Sequence, residues 1–523
     1  MQAPFARTVY ELLVEQAARR PSAPAVIDGN ATVSYGDLAD RAARVAGALI
    51  AAGVRRGEPV GLLAANCVEW LDIAYGVAAV GATLVPLSTW STADEIDFLV
   101  EDSGARRVFL APRIGSQDFA AVFGSLAARG RIDHLVAIGP AAMPGAEALE
   151  AFVGDARPYT HVPGVGASAG DTFVVLYTSG SSNRPKSVPL EHFATIENGF
   201  AIGERQGLTP DDRVLISIPL FWSYGAVNAL PAVLSHGAAM VLQPRFEAER
   251  AVDLIARHGC TALYTLPAMT NALVAAPNFT PEKTRTLRTG VTIGSPQDVM
   301  KAANELGARE ICNIYGSTET YGNCCVTPHD WPLDHRAICQ GPPLPGVELR
   351  IRDGETGKLL GIGDVGQIEV RGYLTRGYRG YSARHNADVF TDDGWFRTGD
   401  LGALQSDGTL RYTGRSAEMI KRSGINVSPA EVEEVLQQHP DVALAGVTGV
   451  ADARRDEIIV AYVVPRPGST IDPAALIAHC RAKLSGYKIP DRIEVSEALP
   501  LTATGKLMRR ELKALAASGA KAT

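Results

Sequence analysis

The sequence predicts an α/β fold: a large N-terminal domain of helix-covered sheets, a small β-barrel-like subdomain at its end, and a small α+β C-terminal domain. Three observations predict it. Helical and strand-like segments alternate through the first two thirds of the chain, which implies parallel sheets covered by helices. Beyond about residue 340 the texture changes to short alternating strands between Gly/Asp turns. The chain has 523 residues, too many for one core of ordinary size.

Taken in order, "YGDLADRAARVAGALIAAGV" from Tyr35 carries apolar residues at helical spacing, and "EPVGLLA" after it reads as a short buried strand. The pair recurs at "AERAVDLIARHG" with "CTALYTLP", and at "SPQDVMKAANELG" with "REICNIYG". "VELRIRD", "GQIEVRG" and "TLRYTGR" are the alternating strands of the subdomain. The last unit holds helix "SPAEVEEVLQQHP", strands "VALAGVTGVAD" and "DEIIVAYVVP", and helix "PAALIAHCRAKLS". In it Ser428 is the expected N-cap, Pro429 the first helical residue and Glu431 the partner in a capping box. The boundary is placed at Arg415, giving domains 1–414 and 415–523.

Composition excludes several classes. Hydrophobic residues are 46% and charged residues 20% of the chain, the profile of a globular enzyme. A formal charge of −7 offers no broad basic face, so nucleic acid is not expected as a partner. Seven cysteines form no C-x-x-C pair, and their odd number argues for cytosolic thiols over a disulfide framework. The N-terminus lacks an export signal, and "AKAT" at the end is no peroxisomal address. "WLDIAYGVAAVGATLVPL" contains Asp72 and glycines, so buried helix and strand fit better than a membrane span. A cytoplasmic monomer or homodimer without stable membrane association is the expectation.

Three motif matches fail on context. Gly361 to Gly366 fits G-x-G-x-x-G, but strand follows it where a dinucleotide fold needs helix. Gly166 to Gly170 fits G-x-S-x-G, but lies upstream of a strand instead of at its end. Cys324 and Cys325 beside His329 suggest metal, yet adjacent cysteines rarely reach one tetrahedral ion. "GSSNRPKS" (180–187) resembles a Walker loop with Pro185 at the second glycine, where proline supplies neither the N–H nor the backbone angle. The wider "TSGSSNRPKS" still offers hydroxyls, a glycine and a lysine after a buried strand, and can close over a triphosphate.

That loop resembles the T-S-G-[ST]-[ST]-G-x-P-K-G signature of the acyl-adenylate-forming enzymes, which include acyl-CoA synthetases. "YGSTET" (315–320), "GWFRTGDLG" (394–402), "YTGRSAEMIKRSGINVSPAEVE" (412–433) and "LPLTATGKLMRREL" (499–512) resemble further family motifs in the family's order. The resemblance implies that ATP converts a carboxylic acid to acyl-AMP, from which a thiol displaces AMP, in the presence of Mg²⁺. Two anions meet in the first step, so positive charge must gather there.

Carried over by position, Thr178, Ser179, Gly180, Ser181, Ser182 and Lys186 would close over the β- and γ-phosphates. Tyr315 would stack on adenine, Thr318 would contact the α-phosphate, and Glu319 would hold Mg²⁺ through a hard oxygen. Asp400 would accept the ribose hydroxyls, with Arg415 reaching the same ribose. Lys506 would bridge substrate carboxylate and α-phosphate, and the C-terminal domain would be mobile, swinging this lysine away after adenylation. Lys421, Ser423 and Gly424, with "YKIP" (487–490), resemble segments near the coenzyme A path. Three departures stand out: Asn183 and Ser187 where the family has glycine, and Ala417 where it commonly has an Asp or Lys hinge.

"PLFWSYGAVNAL" (219–230) corresponds to the family's acid-pocket helix and lacks the aspartate that amino-acid-activating members use. The pattern is most similar to benzoate-type aryl-CoA ligases, implying an aromatic or cyclic acid held by Trp222, Tyr224, Asn228, Ile293 and Tyr321. Coenzyme A is the leading acceptor; a carrier protein, and a fatty or short-chain acid, are the alternatives.

Overall fold

The computed structural model describes residues 2–140, 143–160, 166–178, 184–422, 425–452, 455–484, 486–502 and 507–519. Two large sheets form the body. The first has eight strands in the order Cys325–Val326, Cys312–Tyr315, Thr289–Thr292, Ala262–Tyr264, Arg213–Ile216, Ala239–Leu242, Pro24–Asp28, Ala31–Ser34. Its inner pairs are parallel and its two end pairs antiparallel. The second has seven strands, Lys186–Glu191, Thr172–Thr178, Thr83–Pro86, Pro59–Leu63, Arg107–Leu110, His134–Ala137 and Glu147–Ala148. The fully buried inner strands explain why they read as continuous apolar runs with no alternation.

The helices and strands named from the sequence are present: Tyr35–Ala51 before Pro59–Leu63, Ala248–His258 before Ala262–Tyr264, and Pro296–Asn304 before Cys312–Tyr315. The apolar segment from Trp70 is the buried helix Val68–Ala79 followed by strand Thr83–Pro86. Asp72 is accommodated by Arg41, whose Nε stands 3.0 Å from both carboxylate oxygens. No described helix is long and apolar enough to cross a membrane.

The subdomain is an antiparallel meander, Glu348–Arg352, Gly366–Arg371, Phe396–Leu404 and Leu410–Arg415. The C-terminal sheet runs Ile425–Val427, Ile420–Arg422, Asp456–Pro465, Val442–Asp452, with Arg492–Val495 parallel to Asp456–Pro465. Ser428 caps helix Pro429–Gln437 as expected, accepting from Glu431 N–H. The capping box does not close: Glu431 accepts from Lys488 Nζ at 2.6 Å, a full charge that outcompetes the backbone N–H of Ser428. Ser428 Oγ donates to Thr413 O, fastening this helix to the last strand of the meander.

Candidate functional site

The "YGSTET" segment leaves strand Cys312–Tyr315 in a turn with no spare space. A Cβ on Gly316 would lie 2.4 Å from the carbonyl oxygen of Gly322, so only glycine fits. Thr318–Thr320 then form one turn of 3-10 helix, ended by Tyr321 at φ 58°. This is a bulky residue in left-handed backbone, which costs on the order of 1–3 kcal/mol unless its surroundings fix it. They do: Tyr321 Oη accepts from Glu191 N–H at 2.9 Å, and its carbonyl accepts from Asn198 Nδ2 at 3.2 Å.

Tyr315 donates from Oη to Asp400 Oδ2 at 2.8 Å, and its ring stacks on Tyr412 with centroids 5.6 Å apart. Asp400 Oδ1 is buried and accepts no aligned hydrogen bond, although Arg415 Nε lies 3.2 Å away. Burial raises the Asp400 carboxyl above its ordinary range, and Arg415 opposes that rise. The same burial, with Asp400 beside it, pushes the Tyr315 hydroxyl far up, so it stays protonated and can donate to Asp400. Asp400 and Arg415 are direct partners across the antiparallel ladder, which is how residues fifteen apart meet.

Glu319 is 9% exposed and accepts from Tyr378 Oη at 2.8 Å. The Tyr378 ring also receives Lys186, whose Nζ stands over it 5.0 Å from the centroid. Lys186 faces Thr178 in the hairpin of Thr172–Thr178 with Lys186–Glu191. Tyr378 thus contacts both the lysine and the carboxylate. Ser187, the next residue, is 2% exposed; its Oγ donates to Arg379 O at 2.7 Å, and its N–H donates to Ser382 Oγ at 3.1 Å. A serine where the family pattern has glycine therefore clasps the hairpin to residues 379–382.

Thr318 Oγ1 donates to Ser223 Oγ at 3.1 Å, joining this turn to the acid-pocket segment. That segment contains a π-helix, Tyr224–Ala229, a wide turn often found at functional sites. Trp222 lines a cavity of about 510 Å³ with Trp90, Phe221, Phe246 and Met269; Leu501 and Thr502 of the C-terminal unit close one side. Trp90 meets Phe221 and Trp222 edge-on at 5.3 and 5.0 Å.

The five residues expected to hold the acid do not sit together on this cavity. Trp222 lines it, whereas Tyr224, Asn228, Ile293 and Tyr321 are not among its lining residues. Tyr224 Oη reaches Val291 O at 3.0 Å and Thr265 O at 3.2 Å, and Tyr321 is fully buried, because each hydroxyl finds a backbone partner in the core. Ser179, Gly180, Ser181, Ser182, Asn183, Ser423, Gly424 and Lys506 lie outside the described residues, as does the side chain of Lys421. Leu501 and Leu507, which flank the Lys506 segment, pair as an antiparallel bridge. Ala417 lies in the 3-10 turn Ser416–Glu418, where Glu418 pairs with Arg509 at 2.6 Å.

Sequence reasoning missed Tyr378, Tyr412 and Trp90. "RGYRGY" and "STWST" carry no spacing signal, since what selects these residues is contact with distant strands. The decoys resolve as loops and core: Gly361 to Gly366 leads into strand Gly366–Arg371, and Cys325 lies in a buried strand. No cluster of three or more potential metal ligands occurs among the described residues.

The described site thus holds a buried carboxylate beside a tyrosine pair, a second carboxylate bonded by a tyrosine whose ring carries a lysine, and an aromatic-lined cavity on the segment that Thr318 bonds. A family model described as AMP-binding enzyme matches residues 13–379, and one described as AMP-binding enzyme C-terminal domain matches 431–506. The indoleacetate–CoA ligase of Aromatoleum aromaticum is 32% identical, covering 97% of this chain and 98% of the relative. The mitochondrial medium-chain acyl-CoA ligase of Rattus norvegicus is 29% identical, covering 97% and 87%. The crystal structure of an anthranilate CoA ligase in complex with anthranoyl-AMP matches with a TM-score of 0.87 at 27% identity, covering 99% of each chain. The chain belongs to the AMP-binding enzyme family. It is an AMP-forming acid–thiol ligase, a class that uses ATP, Mg²⁺ and coenzyme A.

Proposed function

We propose that this ligase activates a compact aromatic or cyclic acid as its acyl-AMP and transfers the acyl group to coenzyme A. The observation that carries the reading is the Thr318–Ser223 hydrogen bond, which fuses the adenylate turn to the segment bearing Trp222 and the π-helix. An acid lying against Trp222 has its carboxylate at Thr318 and its ring directed along the π-helix. Residues 219–230 hold no acidic side chain to pair an ammonium, which disfavours an amino acid.

The residues fit the nucleotide. The unfilled Asp400 Oδ1 suits a ribose hydroxyl, and the stacked Tyr315 and Tyr412 offer an aromatic face at the same place. Glu319 would hold Mg²⁺ through one hard oxygen, the rest of the shell being phosphate and water, as this ion prefers. Bound there, Mg²⁺ would neutralise the triphosphate. Lys186, positioned by Tyr378, meets the outer phosphates, with Thr178 and the hydroxyls of 179–182 around them. Lys506 neutralises the acid carboxylate and the α-phosphate as they approach, since Leu501 and Thr502 reach the cavity just before it. The unit from Arg415 onward then turns, and Lys421, Ser423 and Gly424 face the thiol's path.

Acid-dependent pyrophosphate exchange over aromatic, alicyclic and fatty acids tests the reading. Exchange should be fastest with an aromatic or cyclic acid, and adding coenzyme A should yield its thioester. A clear preference for a medium-chain fatty acid would overturn the substrate class.

A further inference from the structure

Segment 376–385, "RGYRGYSARH", sets Arg376, Arg379 and Arg384 on an exposed surface beside the hairpin that carries Lys186. Its backbone is fixed there. Arg379 and Ser187 pair as an antiparallel bridge, and Gly380, at φ 54°, comes so near Asp102 that an added Cβ would lie 2.4 Å from Oδ1. Asp102 in turn accepts from Tyr381 N–H at 2.7 Å and from Tyr177 Oη at 2.8 Å. The Tyr381 ring then collects two guanidinium groups, Arg384 at 3.8 Å and Arg184 at 5.5 Å from its centroid, and Phe98 lies 5.1 Å from Arg184. These two charges therefore stand within roughly 10 Å of each other, about one Debye length at 0.1 M salt. Arg379 adds a third cation: its Nη2 donates to the neutral Thr172 Oγ1 at 2.9 Å, and neither Arg379 nor Arg384 pairs with a carboxylate among the described residues. Glu191, an acid on the same hairpin, is engaged by Arg376.

Like charges gathered on a surface repel one another and attract anions. An aromatic ring holds them in place without cancelling their charge, because it carries a quadrupole and no net charge. The chain as a whole is at −7, so an anion meets repulsion over most of the molecule and attraction here. We infer that Arg184, Arg379 and Arg384 form a docking patch that captures the polyphosphate end of MgATP before its phosphates reach Lys186. Arg184 is two residues from Lys186 along the chain, and Arg379 follows Tyr378, whose ring carries Lys186. The patch thus adjoins the lysine assigned to the outer phosphates. This inference rests on the nucleotide placement proposed above and adds the route by which the nucleotide arrives. Steering of this kind raises association rates by about 10- to 1,000-fold and fades as salt screens it.

Stopped-flow fluorescence of the full chain with Mg²⁺ and a methylanthraniloyl derivative of ATP reads association and dissociation separately. For the wild type, the association rate should fall about tenfold or more between about 20 mM and about 0.5 M salt. In the double variant Arg379→Gln, Arg384→Gln, association at low salt should be about tenfold slower, with dissociation changed less than about threefold, and the gap should close at high salt. Arg257→Gln removes the same kind of charge from helix Ala248–His258 and should associate as the wild type does. A wild-type association rate indifferent to salt would overturn the inference even if the double variant folds poorly. So would a double variant altered only in dissociation, which would make the arginines fixed contacts of the bound nucleotide. An equal slowing in Arg257→Gln would overturn it by tracing the effect to net charge, and a rise in KM for coenzyme A with nucleotide association unchanged would give the patch to the other substrate. Each of these results leaves the nucleotide placement standing. Failure of the wild type to bind the derivative at all would overturn both.

Discussion

Replacing Tyr378 by Phe deletes one hydroxyl and leaves the ring. The lost bond is 2.8 Å long and runs to a carboxylate of which 9% is exposed, so water cannot replace the donor in the same position. A hydrogen bond to a charged group contributes about 1.5–3 kcal/mol. At about 1.4 kcal/mol per tenfold, Tyr378→Phe should lower kcat/KM for MgATP by about 10- to 150-fold. The ring still presents its face to Lys186, so the lysine keeps its place. Tyr378→Ala removes both supports, and a cation–π contact of about 0.5–2 kcal/mol predicts a further two- to thirtyfold loss. The assay is pyrophosphate exchange with MgATP varied, run beside thermal melting to confirm folding. A folded Tyr378→Phe with wild-type kcat/KM would refute the argument that this hydroxyl positions Glu319. Equal rates for the two variants would refute the role given to the ring.

Three other outcomes are expected. Lys506→Ala should abolish acyl-AMP formation yet spare thioester formation from supplied acyl-AMP; equal loss of both steps would remove this lysine from the first step. Ser187→Gly should lower stability by about 1–2 kcal/mol in urea unfolding, because the bonds of Ser187 Oγ to Arg379 O and from Arg379 N–H are lost and the strand gains a flexible residue; an unchanged midpoint would show that the clasp is idle. His192 is buried with Nδ1 accepting from Val9 N–H, and burial lowers its pKa from 6.5 to about 4. Between those values the unfolded chain binds the extra proton, so stability should fall as pH falls through that window, by about 3 kcal/mol in all. His192→Asn should flatten the corresponding slope in melting temperature, and an unaltered slope would place the protonation elsewhere.

The fold was legible because each helix–strand pair carries its own pattern of apolar residues and ends in its own turn. Tyr35–Ala51 and Ala248–His258 needed no distant information. The residues proposed to face the nucleotide lie in motifs that follow one another in order along the chain. What the chain did not reveal is pairing across hundreds of residues. Nothing near Tyr378 announces Glu319 and Lys186, and nothing near Ser187 announces Arg379. The acid-pocket expectation was least secure for the same reason. Tyr224 and Tyr321 have the right chemistry for a pocket, but backbone groups from Val291, Thr265 and Glu191 take their hydroxyls into the core. Glu431 left its capping box for a lysine 57 residues away.

The left-handed Tyr321 bears on how selectivity can arise. Every other described residue at positive φ is a glycine, free to relax, whereas this one is held against its own preference by bonds at both ends of its side chain and backbone. The turn carrying Thr318 and Glu319 therefore behaves as a rigid gauge. An acid or nucleotide that fits poorly cannot reshape it, and pays the full cost of its own misplacement. Accommodation must come from the ligand and from the hairpin bearing Lys186, so variants that alter substrate range without loss of folding should map to residues around the turn and spare the turn itself.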